Sequence, residues 1–187
     1  MNTNLRLLRI FFFTLFVLAL TACATEPPRD FSIEGNSVRN AVVAKVKGEN
    51  LLYISELDGA ISCYTVNGQK LWRNETQNPA VMFEINAADI DQDGNEDVLA
   101  ASGDGTLYAW GSDGQLLWKF HPQPRIRLSE VATIGKGDKM RIFTGGNNYI
   151  LYELNNKGEK LSETPIKGVI RKLESGNFID ANKEVLF

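Results

Sequence analysis

The 187 residues hold one histidine, His121, and only two cysteines, Cys23 and Cys63. No pair of histidines is available to ligate a metal, and no His or Cys lies within the acidic stretch 89–97, so soft-metal chemistry is not expected there. Hydrolytic machinery is missing as well. No Gly-x-Ser-x-Gly elbow accompanies His121, which lies in the loop Lys119-Phe120-His121-Pro122-Gln123-Pro124. There is no basic run, and the formal net charge is −3, so nucleic acid is not expected as a partner. Lys119, Arg125 and Arg127 read as a solvated edge rather than an anion site. No apolar run reaches the roughly 20 residues of a membrane span. We expect a non-enzyme with no catalytic residue.

What is present begins with an address. Arg6 and Arg9 precede the apolar stretch Ile10 to Leu20, the layout of a secretory signal. The stretch ends in Leu20-Thr21-Ala22-Cys23, which resembles the lipobox of bacterial lipoproteins. The resemblance implies cleavage before Cys23 and a diacylglycerol on its sulfur. It also implies an outer-membrane location, facing the periplasm or the cell exterior, since Ala24 is not the usual retention signal. Residues 1–22 are read as the lipoprotein signal and 23–40, with Pro27-Pro28, as a lipidated linker. Removing the signal takes away Arg6 and Arg9 and no acid, leaving a charge of −5. Cys63 is then alone, without an intrachain disulfide, and its β-rich surroundings Ala60 to Val66 make it a buried small hydrophobe.

Beyond residue 40 the chain repeats itself. Leu57-Asp58-Gly59 through Gly68-Gln69-Lys70-Leu71-Trp72 realigns with Ser102-Gly103-Asp104-Gly105 through Gly114-Gln115-Leu116-Leu117-Trp118, and Trp72 and Trp118 stand 46 residues apart. A third copy, Asn147 to Leu161, keeps the turn but has Ser162 in place of the tryptophan. Short alternating runs joined by Gly with Asn or Asp favour tight hairpins. A period in the forties with about four strands per unit is the signature of propeller blades. We therefore expect an all-β fold, a β-propeller of four-stranded antiparallel blades, over residues 41–187. The units fall at about 41–84, 85–130, 131–175 and 176–187. Three blades and a fragment cannot close a ring, since propellers have about four to eight blades, so the chain reads as a truncated piece of a longer protein in preference to one whose copies associate to complete the ring. The segments ending in Gly-Gln-Lys-Leu-Trp and Gly-Gln-Leu-Leu-Trp resemble the tryptophan-docking repeats of pyrroloquinoline-quinone-type propellers. That resemblance implies that the indoles of Trp72 and Trp118 pack between neighbouring blades.

The one concentrated chemical motif is Asp89-Ile90-Asp91-Gln92-Asp93-Gly94-Asn95-Glu96-Asp97. Carboxylates at positions one, three, five and nine can curl round one ion, Gly94 permits the sharp turn, and the Asn95 carbonyl can add a backbone oxygen. Calcium suits such a set because it takes about six to eight oxygens in forgiving geometry, whereas magnesium demands a stricter octahedron. Four carboxylates this close repel one another without a cation. An EF-hand would need a bidentate carboxylate at the twelfth position, which is Ala100. The buried-strand run Val98 to Ser102 that follows instead resembles the FG-GAP, or integrin-type, repeat of β-propellers. It implies a structural Ca2+ held by Asp89, Asp91, Asp93, Asn95 and Asp97. The equivalent segments Lys45–Asn50, Thr133–Lys139 and Gly176–Glu184 have lost the pattern, so one site is expected.

The quinoprotein resemblance also raises a quinone-dependent dehydrogenase, but a self-contained loop is not a ligand set gathered from several blades. Two non-enzymatic roles stay open. One is a lipid-anchored scaffold binding another envelope protein, as the propeller lipoprotein of the outer-membrane β-barrel assembly machinery does. The other is a surface module of FG-GAP type that binds carbohydrate or a neighbouring protein.

Overall fold

A computed structural model describes residues 37–180 and 183–186. The signal at 1–22, the lipobox with Cys23 and nearly all of the linker lie outside the described residues.

Four strands form each of three consecutive antiparallel sheets. The first contains β1 (Val38–Val46), β2 (Glu49–Glu56), β3 (Ala60–Thr65) and β4 (Lys70–Glu75). The second contains β5 (Met82–Ala88), β6 (Asp97–Ser102), β7 (Leu107–Trp110) and β8 (Leu116–Phe120). The third contains β9 (Leu128–Ile134), β10 (Arg141–Gly146), β11 (Ile150–Leu154) and β12 (Lys160–Pro165). A two-stranded piece follows, β13 (Ser175–Asp180) with β14 (Lys183–Leu186). In every full sheet the strands pair in sequence order, the up-and-down meander of a propeller blade. The fold is thus an incomplete β-propeller, as the repeat predicts. Among the described residues no helix is long and apolar enough to cross a membrane.

Burial follows from where each strand sits. The first strands approach one another most closely, β1 beside β5 and β5 beside β9, and so line the axis. The second strands are covered on both faces. All six residues of β6 are buried, which explains why Val98-Leu99-Ala100-Ala101 is a continuous apolar run rather than an alternating one. The last strand of the third blade, β12, is exposed along its whole length. Its Lys-Leu-Ser-Glu-Thr sequence offers little to bury.

The core is divided between the blades. Tyr53, Ile61 and Cys63 of the first blade meet Met82, Val98 and Trp110 of the second. Leu99, Leu107 and Ala109 of the second meet Leu128, Ile142 and Tyr152 of the third. A smaller cluster on the far face of the third blade holds Ala132, Ile170 and Leu173, flanked by Phe143 and Leu151.

The two repeat tryptophans close the outer half of each joint. Trp72 on β4 pairs with Cys63 on β3, and Trp118 on β8 pairs with Ala109 on β7. A small partner in each pair leaves the indole room to lean towards the next blade. There the Trp72 Nε1–H donates to the Ser112 carbonyl at 3.1 Å, and the Trp118 Nε1–H donates to the Asn156 carbonyl at 2.9 Å. Each ring lies over a hairpin glycine. A Cβ on Gly114 would come within 2.9 Å of the Trp72 ring, and one on Gly158 within 2.6 Å of the Trp118 ring. Both glycines also have φ near +80°, at 85° and 77°, so turn geometry and ring contact demand the same residue.

Candidate functional site

The acidic loop joins β5 to β6 and is wound on its own carboxylates. Asp91 Oδ1 accepts from the Asp93 N–H at 3.1 Å, Asp93 Oδ1 from the Asn95 N–H at 2.8 Å, and Asp89 Oδ2 from the Gly94 N–H at 3.2 Å. These are the local side-chain-to-backbone bonds that Asp favours in turns. Gln92 and Gly94 take the left-handed conformation, with φ of 68° and 88°.

Asp97, the first residue of β6, is the buried anchor. Its Oδ2 accepts from the Ile90 N–H at 2.9 Å and the Asp91 N–H at 3.3 Å, and its Oδ1 from the Ser112 N–H at 2.9 Å. Burial pushes its carboxyl up to about 6; the backbone N–H groups pull the other way, and the Asp91 charge adds to the rise. Asp93 is exposed, and its carboxyl is held below the usual range by the Asn95 side-chain and backbone amides.

Three of the five expected ligands converge. One carboxylate oxygen each from Asp89, Asp91 and Asp97 lies within 4.8 Å of the others. Asp89 Oδ1 is buried and accepts no hydrogen bond, a costly state for an anionic oxygen unless a cation faces it. On these two observations the residues fit a hard divalent ion. Asp93 is instead turned to Asn95, receiving that residue's Nδ2–H at 3.0 Å. The Asn95 side chain faces the first blade, where its Oδ1 accepts from the Lys47 N–H at 2.6 Å.

The loop also ties three blades together. Glu96 exchanges bonds with Lys45, and the Tyr53 hydroxyl donates to the Glu96 carbonyl at 2.6 Å. Towards the third blade, Gln92 Nε2 donates to Asp138 at 2.9 Å, and Asn156 Nδ2 donates to the Ile90 carbonyl at 3.2 Å. The motif spacing points to an ion but not to these partners, which arrive from residues more than 40 positions away.

Cys63 is fully buried beside Trp72, and burial pushes its thiol up to about 12. His121 shares a hydrogen bond with Thr106 at 3.1 Å. It lines an open cleft of about 390 Å³ between the first two blades, with Glu75, Tyr108, Trp110 and Lys119. Tyr108 and Trp110 stack there at 5.0 Å. Arg127 does not lie on that edge. It borders a second cleft, at the axis, with Arg39 and Arg171. That grouping escapes a linear reading because each cation comes from a different repeat.

Residues 52–172 match the lambda-carrageenase beta-propeller domain. The chain is 29% identical over 148 residues to a lambda-carrageenase of Pseudoalteromonas carrageenovora, and 30% identical over 131 residues to one of another Pseudoalteromonas species. These matches cover 79% and 70% of this chain but 14% of each relative's length. Solved structures share the fold at low identity. Sqt1 of Saccharomyces cerevisiae superposes with a TM-score of 0.63 at 15% identity, covering 75% of this chain and 42% of that one. The Pan2 WD40 domain of Neurospora crassa gives 0.59 at 15%, covering 80% and 50%. Since the family pattern spans well over half of the residues, the chain belongs to the lambda-carrageenase β-propeller domain family.

Proposed function

We propose that the chain is a non-catalytic, cation-stabilised propeller module that contributes polysaccharide binding to a larger exported protein. The observation that carries this reading is the match of residues 52–172 to a propeller domain found in polysaccharide-degrading enzymes. No catalytic group is assigned. The cation, which we take to be Ca2+ in keeping with the FG-GAP-like spacing, would be held by Asp89, Asp91 and Asp97. When bound it would supply the positive charge that lets three carboxylates share one small space. Asp93 and Asn95 shape the loop around it. The quinoprotein-like tryptophans serve packing, and lipid on Cys23 would hold the module at the outer membrane.

The test is affinity electrophoresis of the full chain through gels containing lambda-carrageenan, a sulfated galactan, or agarose, its neutral counterpart. Retardation by a polysaccharide is the expected result; migration unchanged in both gels overturns the reading. Labelling with a fatty-acid probe checks the anchor, which requires loss of label in Cys23→Ser.

A second reading, a docking scaffold for an envelope protein, is favoured by Leu71, Leu116 and Leu161. They lie on the outermost strands of three successive blades and are 46%, 52% and 48% exposed. Capture of a defined envelope protein by a chain that ignores both gels would favour it.

A further inference from the structure

The axial cleft has a charge opposite to that of the whole chain. It measures about 570 Å³ and is bordered by the first strands of all three blades and by the segment that leads to β13. Four cations border it, Arg39, Arg127, Arg171 and Lys172, against two carboxylates, Glu84 and Glu130. The full chain carries −3, so this concentration of positive charge is not a reflection of composition.

The two carboxylates are already engaged. Glu84 faces Lys172 Nζ at 3.7 Å and accepts weakly from Asn40 Nδ2 at 3.4 Å. Glu130 Oε2 accepts from the Leu173 N–H at 3.2 Å, and burial raises its carboxyl above the usual range. Among the described residues Arg39, Arg127 and Arg171 form no ion pair. Arg39 lies over the Phe83 ring at 5.8 Å, a contact that steadies a guanidinium while leaving its N–H edge available. The backbone under Arg127 is fixed from both sides. Its N–H donates to Asn147 Oδ1 at 2.9 Å and its carbonyl accepts from the Asn147 N–H at 3.3 Å. The far wall is pinned by the Ser129 hydroxyl donating to the Ile170 carbonyl at 3.1 Å, next to Arg171.

Planar guanidinium forks bind tetrahedral and planar oxyanions in pairs of hydrogen bonds, which is the use that distinguishes Arg from Lys. A low-dielectric mouth lined by one sign of charge also concentrates counter-ions and draws in charged polymers. We propose that this axial cleft is an anion subsite, in which Arg127 and Arg171 bind a sulfate ester of a polysaccharide while Arg39 supplies the surrounding positive field. The assignment rests on the polysaccharide reading above and names the chemical class that the surface selects.

The experiment compares the wild-type full chain with Arg127→Ala/Arg171→Ala, both side chains being exposed. The Lys variant at the same two positions and Lys119→Ala at the outer cleft serve as comparisons. Apparent Kd is measured for lambda-carrageenan, agarose and inorganic sulfate, and melting temperature reports folding. Wild type is expected to prefer the sulfated polymer. The double Ala variant should lose at least tenfold in affinity for it with an unchanged melting temperature. The Lys variant should recover part of the loss, and Lys119→Ala should lose nothing. Competition by inorganic sulfate at concentrations where sodium chloride of equal ionic strength does not compete would support a specific subsite. Equal affinity of wild type and the double Ala variant for the sulfated polymer overturns the subsite and leaves the polysaccharide reading standing. Equal affinity of wild type for agarose and the sulfated polymer has the same meaning. Failure of wild type to bind any galactan overturns both.

Discussion

The second and third blades are built on the same four strands and held to their neighbours by different means. The second blade carries two latches. Its acidic loop reaches the first blade through Lys45, Lys47 and Tyr53 and the third through Asp138 and Asn156. Its Trp118 caps Gly158 of the third blade. The third blade carries neither. In place of the acidic loop it has the short 3-10 turn Gly137–Lys139, and in place of the tryptophan it has Ser162. Opposite Ser162 stands Glu153, where the other blades place Cys63 and Ala109. Glu153 accepts from the Ser162 hydroxyl at 2.7 Å and faces Arg141 at 3.5 Å, so the outer half of that face is polar. Apolar cohesion there comes from the axial side, through Ala132, Ile170 and Leu173. The strand scaffold and the latches are thus separable: one repeat pattern sets the blades, and a few residues decide how firmly each is joined.

The comparison can be broken most strongly at Asp97. Asp97→Ala strands three backbone N–H groups, at Ile90, Asp91 and Ser112, each worth about 1–3 kcal/mol when left unpaired in a buried site. We expect a loss of several kcal/mol in urea unfolding even in chelator, from the stranded N–H groups, and a larger loss in calcium, where a ligand goes as well. Asp91→Ala should behave differently. It should lower the melting temperature in calcium and change little in chelator; equal loss in both would remove the metal from the loop.

Next is the joint made by Trp118. The side chain is only partly buried, so Trp118→Ala should cost about 2–3 kcal/mol, below the roughly 3–5 of a fully enclosed tryptophan. Gly158→Ala should also destabilise, by clash with the ring and by strain at positive φ. In the double variant the clash is gone, so the two losses should sum to more than the measured total. Strict additivity would mean that the ring and the glycine do not touch. At the matching place on the third blade, Ser162→Ala should stay within about 0.5 kcal/mol of wild type.

The smallest effect concerns pH. The folded-state pKa of Glu130 is raised by burial, with Glu84 adding to the rise while the Leu173 N–H, Lys172 and Arg39 oppose it. A raised carboxyl binds its proton more tightly folded than unfolded, so stability falls as pH climbs from the ordinary glutamate range through the folded value. Glu130→Gln should therefore melt higher than wild type at neutral pH, with the difference closing as both states become protonated in acid. A constant difference at every pH would mean that packing, not charge, sets the effect.

Much of the architecture could be read from the chain. Gly68 and Gly114 with Trp72 and Trp118 fix the period, and Ser162 marks the blade that departs from it. The buried run Val98–Ala101 locates a strand covered on both faces. The site was only half visible. Spacing selects Asp89, Asp91 and Asp97 and equally selects Asp93, because a loop's own Asx bonds are not written in its spacing. The contacts of Asn95 and Gln92 depend on how the neighbouring blades are set. The axial cations were hidden for the same reason: nothing in a linear reading says that the start of every repeat meets at one axis.

Cys63 turns one of these joints into a clock. Its sulfur is sealed under Trp72 and its thiol is protonated far above neutral pH, so the closed joint is inert to disulfide reagents. Reaction at this residue must wait for the first and second blades to part. With reagent in such excess that reaction outpaces reclosing, the rate of its modification counts opening events of a single seam, and any ligand that clamps the two blades would lengthen the interval between them.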